Sequence, residues 1–345
     1  MKKTIKVLAA MRRIAIIAFV ATIGFSMASC GGDGGDSEGG GSSGSSGWTV
    51  VSDNTFGTSN IGAIAYGSNK FVAGGGFGKM ATSTNGIAWT TVSDSTFGSN
   101  YISAIAYGGN KFVAGCTEMA TSTDGTTWTP VTQNIFIAPT ISISAIAYGG
   151  NKFVAGGTLS RMAYSTDGVT WTAVTQSVFN SMDAIKAIAY GNGKFVAGGT
   201  GGKIATSTDG TTWTAVTQSV FSSTQPYDSI NAIAYGNGKF VAGGGGGGGG
   251  GKMAYSTDGV TWTAVTQSVF GSSSINAIAY GNNKFVAVGD DAKMATSTDG
   301  VTWTAVTPSV FYINKTNYHI NAIAYGNNKF VAVGDGGKMA YLSDN

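Results

Sequence analysis

The chain has 345 residues, of which 20 are Lys or Arg and 17 are Asp or Glu, so its formal net charge is +3. Five of the basic residues precede Cys30, and the rest of the chain carries 15 basic and 17 acidic residues, a net charge of −2. This balance gives no electrostatic case for nucleic acid binding. One histidine and two cysteines are too few ligands for a His/Cys metal site.

Residues 1–30 have the pattern of a targeting segment. Lys2, Lys3 and Lys6 open it, an apolar run covers residues 14–25, and small residues follow. The run is too short for a stable membrane-spanning helix, which indicates the core of a signal peptide. Met11 opens a more compact leader of the same kind, so translation starts at Met1 or at Met11.

The leader ends in Met27-Ala28-Ser29-Cys30, which resembles the lipobox of bacterial lipoproteins. The resemblance implies that Cys30 is diacylated and becomes the mature N-terminus. We therefore expect a lipid-anchored protein of the bacterial cell envelope, at the outer membrane or the cell surface. Ordinary cleavage near Ala28, with Cys30 as a free thiol, is the alternative. If Cys30 is lipidated, Cys116 has no partner for an intramolecular disulfide.

Residues 31–47 read GGDGGDSEGGGSSGSSG. They offer no apolar side chain for a core, which predicts a flexible tether with a root-mean-square reach of roughly 20–25 Å. A lipid on Cys30 would then hold the following domain just off a membrane.

Residues 48–345 repeat one unit. The tetrapeptide AIAY begins at seven positions spaced by 41, 41, 42, 45, 45 and 45 residues: Ala63, Ala104, Ala145, Ala187, Ala232, Ala277 and Ala322. Each unit holds four short runs of alternating character, which we name a (INAIAY), b (KFVAVG), c (KMATS) and d (TWTAV) after the copy in residues 275–307. Alternation with turn residues between the runs predicts four antiparallel strands, one propeller blade per unit.

The number of strands predicts how the ring closes. The last unit ends after its c run, and the matching d run stands at the start of the domain, at Trp48. One N-terminal strand, six complete units and three C-terminal strands make seven blades of four. We therefore predict an all-β, seven-bladed β-propeller, with the N-terminal strand paired to the C-terminal blade.

The positions that recur in every unit are expected to be structural. The d-run Trp and the Phe that follows it are expected to pack between neighbouring sheets. The turn Ser256-Thr257-Asp258-Gly259 before Trp262 resembles the Asp-box of sialidase-type propellers, although Asp and Gly are adjacent here and the first unit has Asn85 in place of Asp. The resemblance implies the propeller fold and a structural turn on the face opposite an active site.

Catalytic groups are scarce. Sialidase chemistry needs three arginines for the substrate carboxylate and a glutamate beside a tyrosine nucleophile, yet Arg161 is the one arginine after Cys30, and Glu38 and Glu118 are the two glutamates. The nine-glycine run before Lys252 lacks the Ser or Thr and the helix of a phosphate loop. We therefore expect no enzyme activity, no cofactor and no metal.

The variable positions fall in the d to a connections and the b to c loops. Because strands alternate in direction, both classes of loop emerge on one face, and a constant scaffold with one diverse rim favours a binding surface. Drift of surface loops is the alternative. The candidate ligand-binding residues are Arg161, Asp228, Asp290 and Lys315, to orient polar groups, and Tyr227, Tyr312, Tyr318 and His319, to stack and donate hydrogen bonds.

The sequence thus predicts a monomeric, non-catalytic surface protein that binds a glycan, a matrix component or a protein partner. A glycosidase or lyase using loop carboxylates such as Asp290 and Asp291 is one alternative. A scaffold is another, because the chain also resembles photosystem assembly propellers, whose arginine-rich patches it lacks.

Overall fold

The computed structural model describes residues 47–345 except 53–54, 134, 137–140, 176–177, 218–219, 222–227, 246–249, 267, 308, 314–315 and 344–345. The predicted leader, Cys30 and the predicted tether up to residue 46 lie outside the described residues. Among the described residues, no helix has the length and apolar character needed to cross a membrane.

The described chain forms seven four-stranded antiparallel sheets, one per unit, which confirms the predicted propeller. Blades 1 and 2 consist of β2 (Ile61–Gly67), β3 (Lys70–Gly75), β4 (Met80–Ser83), β5 (Thr90–Val92), β6 (Ala104–Gly108), β7 (Lys111–Gly115), β8 (Met119–Ser122) and β9 (Thr129–Pro130). Blades 3 and 4 consist of β10 (Ile143–Gly149), β11 (Lys152–Gly157), β12 (Met162–Ser165), β13 (Thr172–Ala173), β14 (Ile185–Gly191), β15 (Lys194–Gly199), β16 (Ile204–Ser207) and β17 (Thr214–Val216).

The same a to d order continues in blades 5 and 6. Their strands are β18 (Ile230–Gly236), β19 (Lys239–Gly244), β20 (Lys252–Ser256), β21 (Thr263–Ala264), β22 (Ile275–Gly281), β23 (Lys284–Gly289), β24 (Met294–Ser297) and β25 (Thr304–Ala305). A two-stranded hairpin of β26 (Tyr312–Ile313) and β27 (Thr316–Asn317) then precedes blade 7. Single 3₁₀ turns at Gly76–Gly78 and Asp335–Gly337 are the helical segments of the described residues.

Blade 7 closes the ring as predicted. It contains β28 (Ile320–Gly326), β29 (Lys329–Gly334) and β30 (Met339–Ser343), and its fourth strand is β1 (Trp48–Val50) from the N-terminal end of the domain. β1 runs antiparallel to β30, with Trp48 opposite Leu342 and Val50 opposite Ala340. The first strands of successive blades contact one another, and those of blades 7 and 1 do so as well. The seven a strands therefore form a closed inner ring.

The apolar core lies between blades. Each of seven clusters combines side chains of two neighbouring blades. The cluster between blades 1 and 2, for example, joins Val72 and Met80 to Phe112 and Trp128. The recurring Trp and Phe are buried in these clusters, which confirms their predicted packing role. The outer d strands are shorter than predicted, two or three residues, and in blades 1 to 6 the buried Trp precedes the paired segment.

One face of the ring is uniform. The a to b turns and the c to d turns lie together there. At the end of an a to b turn, Lys152 Nζ donates to the Asp209 carbonyl in the c to d turn of the next blade at 2.9 Å, and Lys194 Nζ donates to the Asp258 carbonyl in the same way at 2.8 Å. In each c to d turn described, a serine hydroxyl accepts the N–H of the turn glycine, as between Ser256 and Gly259 at 2.8 Å. We call this surface the uniform face.

Candidate binding face

The opposite surface carries both classes of variable loop, and we call it the diverse face. Backbone hydrogen bonds join the loops there: Gly78 N donates to the Asn100 carbonyl at 2.7 Å, and Ser160 N donates to the Asp183 carbonyl at 2.6 Å. Each bond runs from a b to c loop to the following d to a connection. The prediction that these loops share one face is therefore confirmed for the described segments.

Most b to c loops are built on one tight turn. Its two central residues have positive φ in blades 1, 3, 4, 6 and 7, a geometry that favours glycine. Blades 4 and 7 have Gly201 and Gly336 at the first central position, whereas blades 1 and 3 have Phe77 at φ 58° and Leu159 at φ 54°. A bulky side chain in this region is strained by about 1–2 kcal/mol.

These two strained residues are also exposed. Phe77 is 72% exposed and Leu159 is 44% exposed. Other large apolar side chains are exposed on the d to a connections of the same face, at Tyr101, Met182 and Tyr312. The strain and the exposure both oppose stability, so packing within the propeller does not explain why Phe77 and Leu159 replace glycine.

The centre of the diverse face is formed by the residue that precedes each AIAY. We call these seven positions the mouth ring: Gly62, Ser103, Ser144, Lys186, Asn231, Asn276 and Asn321. In six blades this residue lies at a β-bulge, where the pairing of the a and b strands shifts register. A bulge leaves one residue out of the ladder and re-aims its side chain.

Two carboxylates stand beside the mouth ring in blades 6 and 7. Asn276 Nδ2 donates to Asp290 Oδ1 at 2.9 Å, and Asn321 Nδ2 donates to Asp335 Oδ1 at the same distance. The ring of Tyr101 occupies the space that a Cβ on Gly62 would need, 2.5 Å away. Burial raises the pKa of the Tyr101 phenol, and the negative charge of Asp335 raises that pKa further.

Two of the predicted residues come together. His319 Nδ1 lies 3.0 Å from Asp290 Oδ1, at the seam between blades 6 and 7. Tyr312 is exposed on the short hairpin before blade 7. Tyr318 is half-buried and packs beneath the ammonium of Lys338, which lies 5.5 Å from the centre of its ring. Tyr227 and Lys315 fall outside the described residues.

Two other predicted residues, Asp228 and Arg161, occupy positions that the repeat or an ion pair explains. Asp228 is 2% exposed, and its Oδ2 lies 2.5 Å from Lys252 Nζ. Arg161 is exposed in its loop, but it occupies the first position of run c, which is lysine in five blades, so it belongs to the repeat and not to the variable set. In blades 4 and 5 that lysine binds an aspartate of the preceding connection, and Lys79 Nζ donates to the Phe56 carbonyl at 3.0 Å.

Sequence reasoning missed Tyr101, Asp335, Phe77 and Lys186. Comparing the units position by position would have identified Lys186, because the other blades have Gly, Ser or Asn before AIAY. In the described part of the chain, no group of three or more His, Cys, Asp or Glu side chains is arranged to hold a metal ion. Burial raises the pKa of the Cys116 thiol, which lies in the core between blades 1 and 2.

No family model matches the chain, and no curated protein matches it. A solved structure of YCF48 bound to D1 peptide is similar to it, with a TM-score of 0.65 and 16% identity over 87% of this chain and 96% of that one. YCF48 from Cyanidioschyzon merolae has a TM-score of 0.63 and 17% identity, over 86% and 98% of the two chains. The crystal structure of the computationally designed Ika8 protein has a TM-score of 0.56 and 16% identity, over 84% and 98%. At these identities the similarity establishes the fold.

Proposed function

We propose that this chain is a non-catalytic binding protein whose diverse face holds a segment of a partner protein. The observation that carries the proposal is the pair Phe77 and Leu159, two exposed apolar side chains in strained turns where blades 4 and 7 have glycine. Strain and apolar exposure tend to persist where they serve recognition. A peptide bound to YCF48, which has the same fold, supports a protein ligand over a glycan or matrix component.

The experiment replaces both side chains by glycine. Phe77→Gly and Leu159→Gly remove the apolar tips and relieve the strain at positive φ, so we expect the free energy of unfolding to stay equal or rise by up to about 1 kcal/mol. We expect the same double variant to lose binding to peptides that a displayed peptide library enriches on the unmodified protein. Binding would then be lost without any loss of stability, as expected for a recognition surface.

The matched control lies on the uniform face. Val169 and Val260 are exposed apolar residues of the c to d turns, and changing both to Ser removes exposed apolar surface from that face. Binding should survive in this control. Equal loss of binding in both double variants would contradict the proposal, and binding to a glycan array without peptide binding would favour the glycan alternative.

We also propose that Cys30 is lipidated and that the protein is anchored in the bacterial envelope through residues 31–47. The motif Met27-Ala28-Ser29-Cys30 supports this proposal. The intact mass of the protein recovered from bacterial membranes should then match a chain that begins at an acylated Cys30. A Cys30→Ala variant should appear in the soluble fraction, and a mature mass without lipid would contradict the anchor.

A further inference from the structure

Four of the seven mouth-ring residues donate a side-chain hydrogen bond to a backbone carbonyl of the next blade. Ser103 Oγ donates to the Ile143 carbonyl at 2.5 Å, and Asn231 Nδ2 donates to the Ile275 carbonyl at 3.3 Å. Asn276 and Asn321 repeat the pattern toward Ile320 and Ile61, at 3.2 and 3.1 Å. In these four blades a short neutral side chain thus bonds to the first residue of the next a strand.

Lys186 also bonds to the next blade, but it does so as a cation and to side chains instead of to a backbone carbonyl. Its ammonium lies 3.1 Å from Ser229 Oγ and 3.4 Å from Asn231 Oδ1, both in blade 5. Neither acceptor carries a charge, and none of the ion pairs between described residues includes Lys186. Burial lowers the pKa of the Lys186 ammonium. A half-buried cation with two neutral acceptors has an unmet preference for an anion.

The repeat pattern shows that this lysine is exceptional. Of the 15 basic residues after Cys30, seven are the lysine that opens run b, and six occupy the first position of run c. Lys186 and Lys315 are the remaining two. The structural positions of the repeat therefore do not account for Lys186.

The charges around the mouth ring are also asymmetric. Lys186 belongs to blade 4, and the carboxylates of Asp290 and Asp335 belong to blades 6 and 7. Blade 4 lies across a seven-membered ring from the junction of blades 7 and 1. A ligand that crosses the centre of the diverse face would therefore meet a cation on one side and anions toward the other.

We propose that Lys186 is the subsite for a carboxylate of the bound protein segment. This inference rests on the proposed function, because it places that segment across the mouth ring. The carboxylate belongs to an acidic side chain or to a chain end, and both would accept the N–H groups of the ammonium in the same way.

The test measures the acetylation rate of each lysine of the full chain by mass spectrometry, with and without short peptides. One peptide has blocked ends and a central glutamate, the second has glutamine in its place, and the third has glutamine and a free terminal carboxylate. We expect the glutamate peptide, the free-end peptide or both to slow acetylation of Lys186 by about threefold to tenfold, the size of a charge-assisted hydrogen bond at a partly exposed site. Lys203 should be unaffected, because it is already paired with Asp183.

The responding peptide identifies the source of the carboxylate. The proposal would be overturned if none of the peptides slowed acetylation of Lys186, or if all three slowed it to the same extent. A second measurement uses the library peptides: Lys186→Gln should weaken the binding of acidic peptides about tenfold, and Lys186→Arg should retain most of it. Unchanged affinity in Lys186→Gln would overturn this inference while leaving the proposed function, which depends on Phe77 and Leu159, in place.

Discussion

In blades 1 to 6 the c to d turn places an acceptor where two backbone N–H groups converge. Asp258 Oδ1 accepts the N–H groups of Val260 and Thr261 at 2.8 and 2.7 Å. The hydrogen bond from Thr261, then that from Val260, lowers the pKa of this carboxyl from 3.8 to about 2. A pKa lower in the folded state than in the unfolded state means that the ionised carboxylate stabilises the fold above about pH 4, and that this contribution is lost as the pH falls toward 2.

We therefore predict that Asp258→Asn reduces stability at pH 7 and has progressively less effect as the pH falls. Asn85 in blade 1 shows that an amide suits the turn, because its Oδ1 accepts the N–H groups of Ile87 and Ala88 at 2.9 and 3.0 Å. Urea denaturation of both proteins from pH 7 to pH 2 should give stability curves that converge at the acidic end. Parallel curves would contradict the assigned pKa direction.

The ion pair of Asp228 gives a second test at the residue scale. Asp228 is buried beside Lys252, so we predict that Lys252→Met destabilises the fold by about 1–3 kcal/mol, since a buried carboxylate loses its cation. Lys203→Met should cost less, because its partner Asp183 is more exposed. Denaturant midpoints measure both changes. Equal small costs would contradict the assigned contribution of the Asp228–Lys252 pair to the fold.

At the scale of the elements, the c to d turn also locks one blade to the next. Gly259 has φ +75°, and a Cβ there would lie 2.9 Å from Val196 Cγ2 of the preceding blade. We predict that Gly259→Ala lowers the free energy of unfolding by about 2–4 kcal/mol, the sum of left-handed strain and an inter-blade clash. Thermal and urea unfolding measure the loss.

The control for this substitution separates the two causes. Gly193 has φ +74° and no atom within 4 Å of its added Cβ, so Gly193→Ala should show the strain alone, about 1–2 kcal/mol. Adding Val196→Ala to Gly259→Ala removes the clashing methyl group. In this double-mutant cycle, the double variant should lose less free energy of unfolding than the sum of the two single variants. Strictly additive losses in free energy of unfolding would mean that the turn does not contact Val196 of the preceding blade.

The elements and the closure of the ring were predictable from the sequence, and the contacts between loops of different blades were not. Alternation and turn residues predicted strands a to c, because these features act within one hairpin. The Asp290–His319 contact was not predictable, since it joins loops of two blades and depends on how those blades pack. Lys186 was visible as the odd residue before AIAY, but its neutral surroundings in blade 5 required the structure.

At the scale of the whole molecule, stability is distributed over seven similar seams. No blade has a core of its own, because each apolar cluster draws on two blades. The ring is therefore expected to unfold as one cooperative unit, and the strand count alone predicted its closure. Such a frame tolerates varied loops on one face, where the proposed binding residues lie.

The closing strand provides the last prediction. Trp48 on β1 and Trp303 before β25 are both buried, at 5% and 7% exposure, and neither indole N–H has an acceptor among the described residues. If β1 completes blade 7 as fully as β25 completes blade 6, Trp48→Ala and Trp303→Ala should each lower the free energy of unfolding by about 3–5 kcal/mol.

Removing residues 1–51 should lower the free energy of unfolding further and cause self-association through the uncovered edge of β30, whereas removing residues 1–47 should leave stability unchanged. Unfolding midpoints and light scattering measure these effects, and a much smaller cost for Trp48→Ala than for Trp303→Ala would mean that the ring is not closed by β1 in solution.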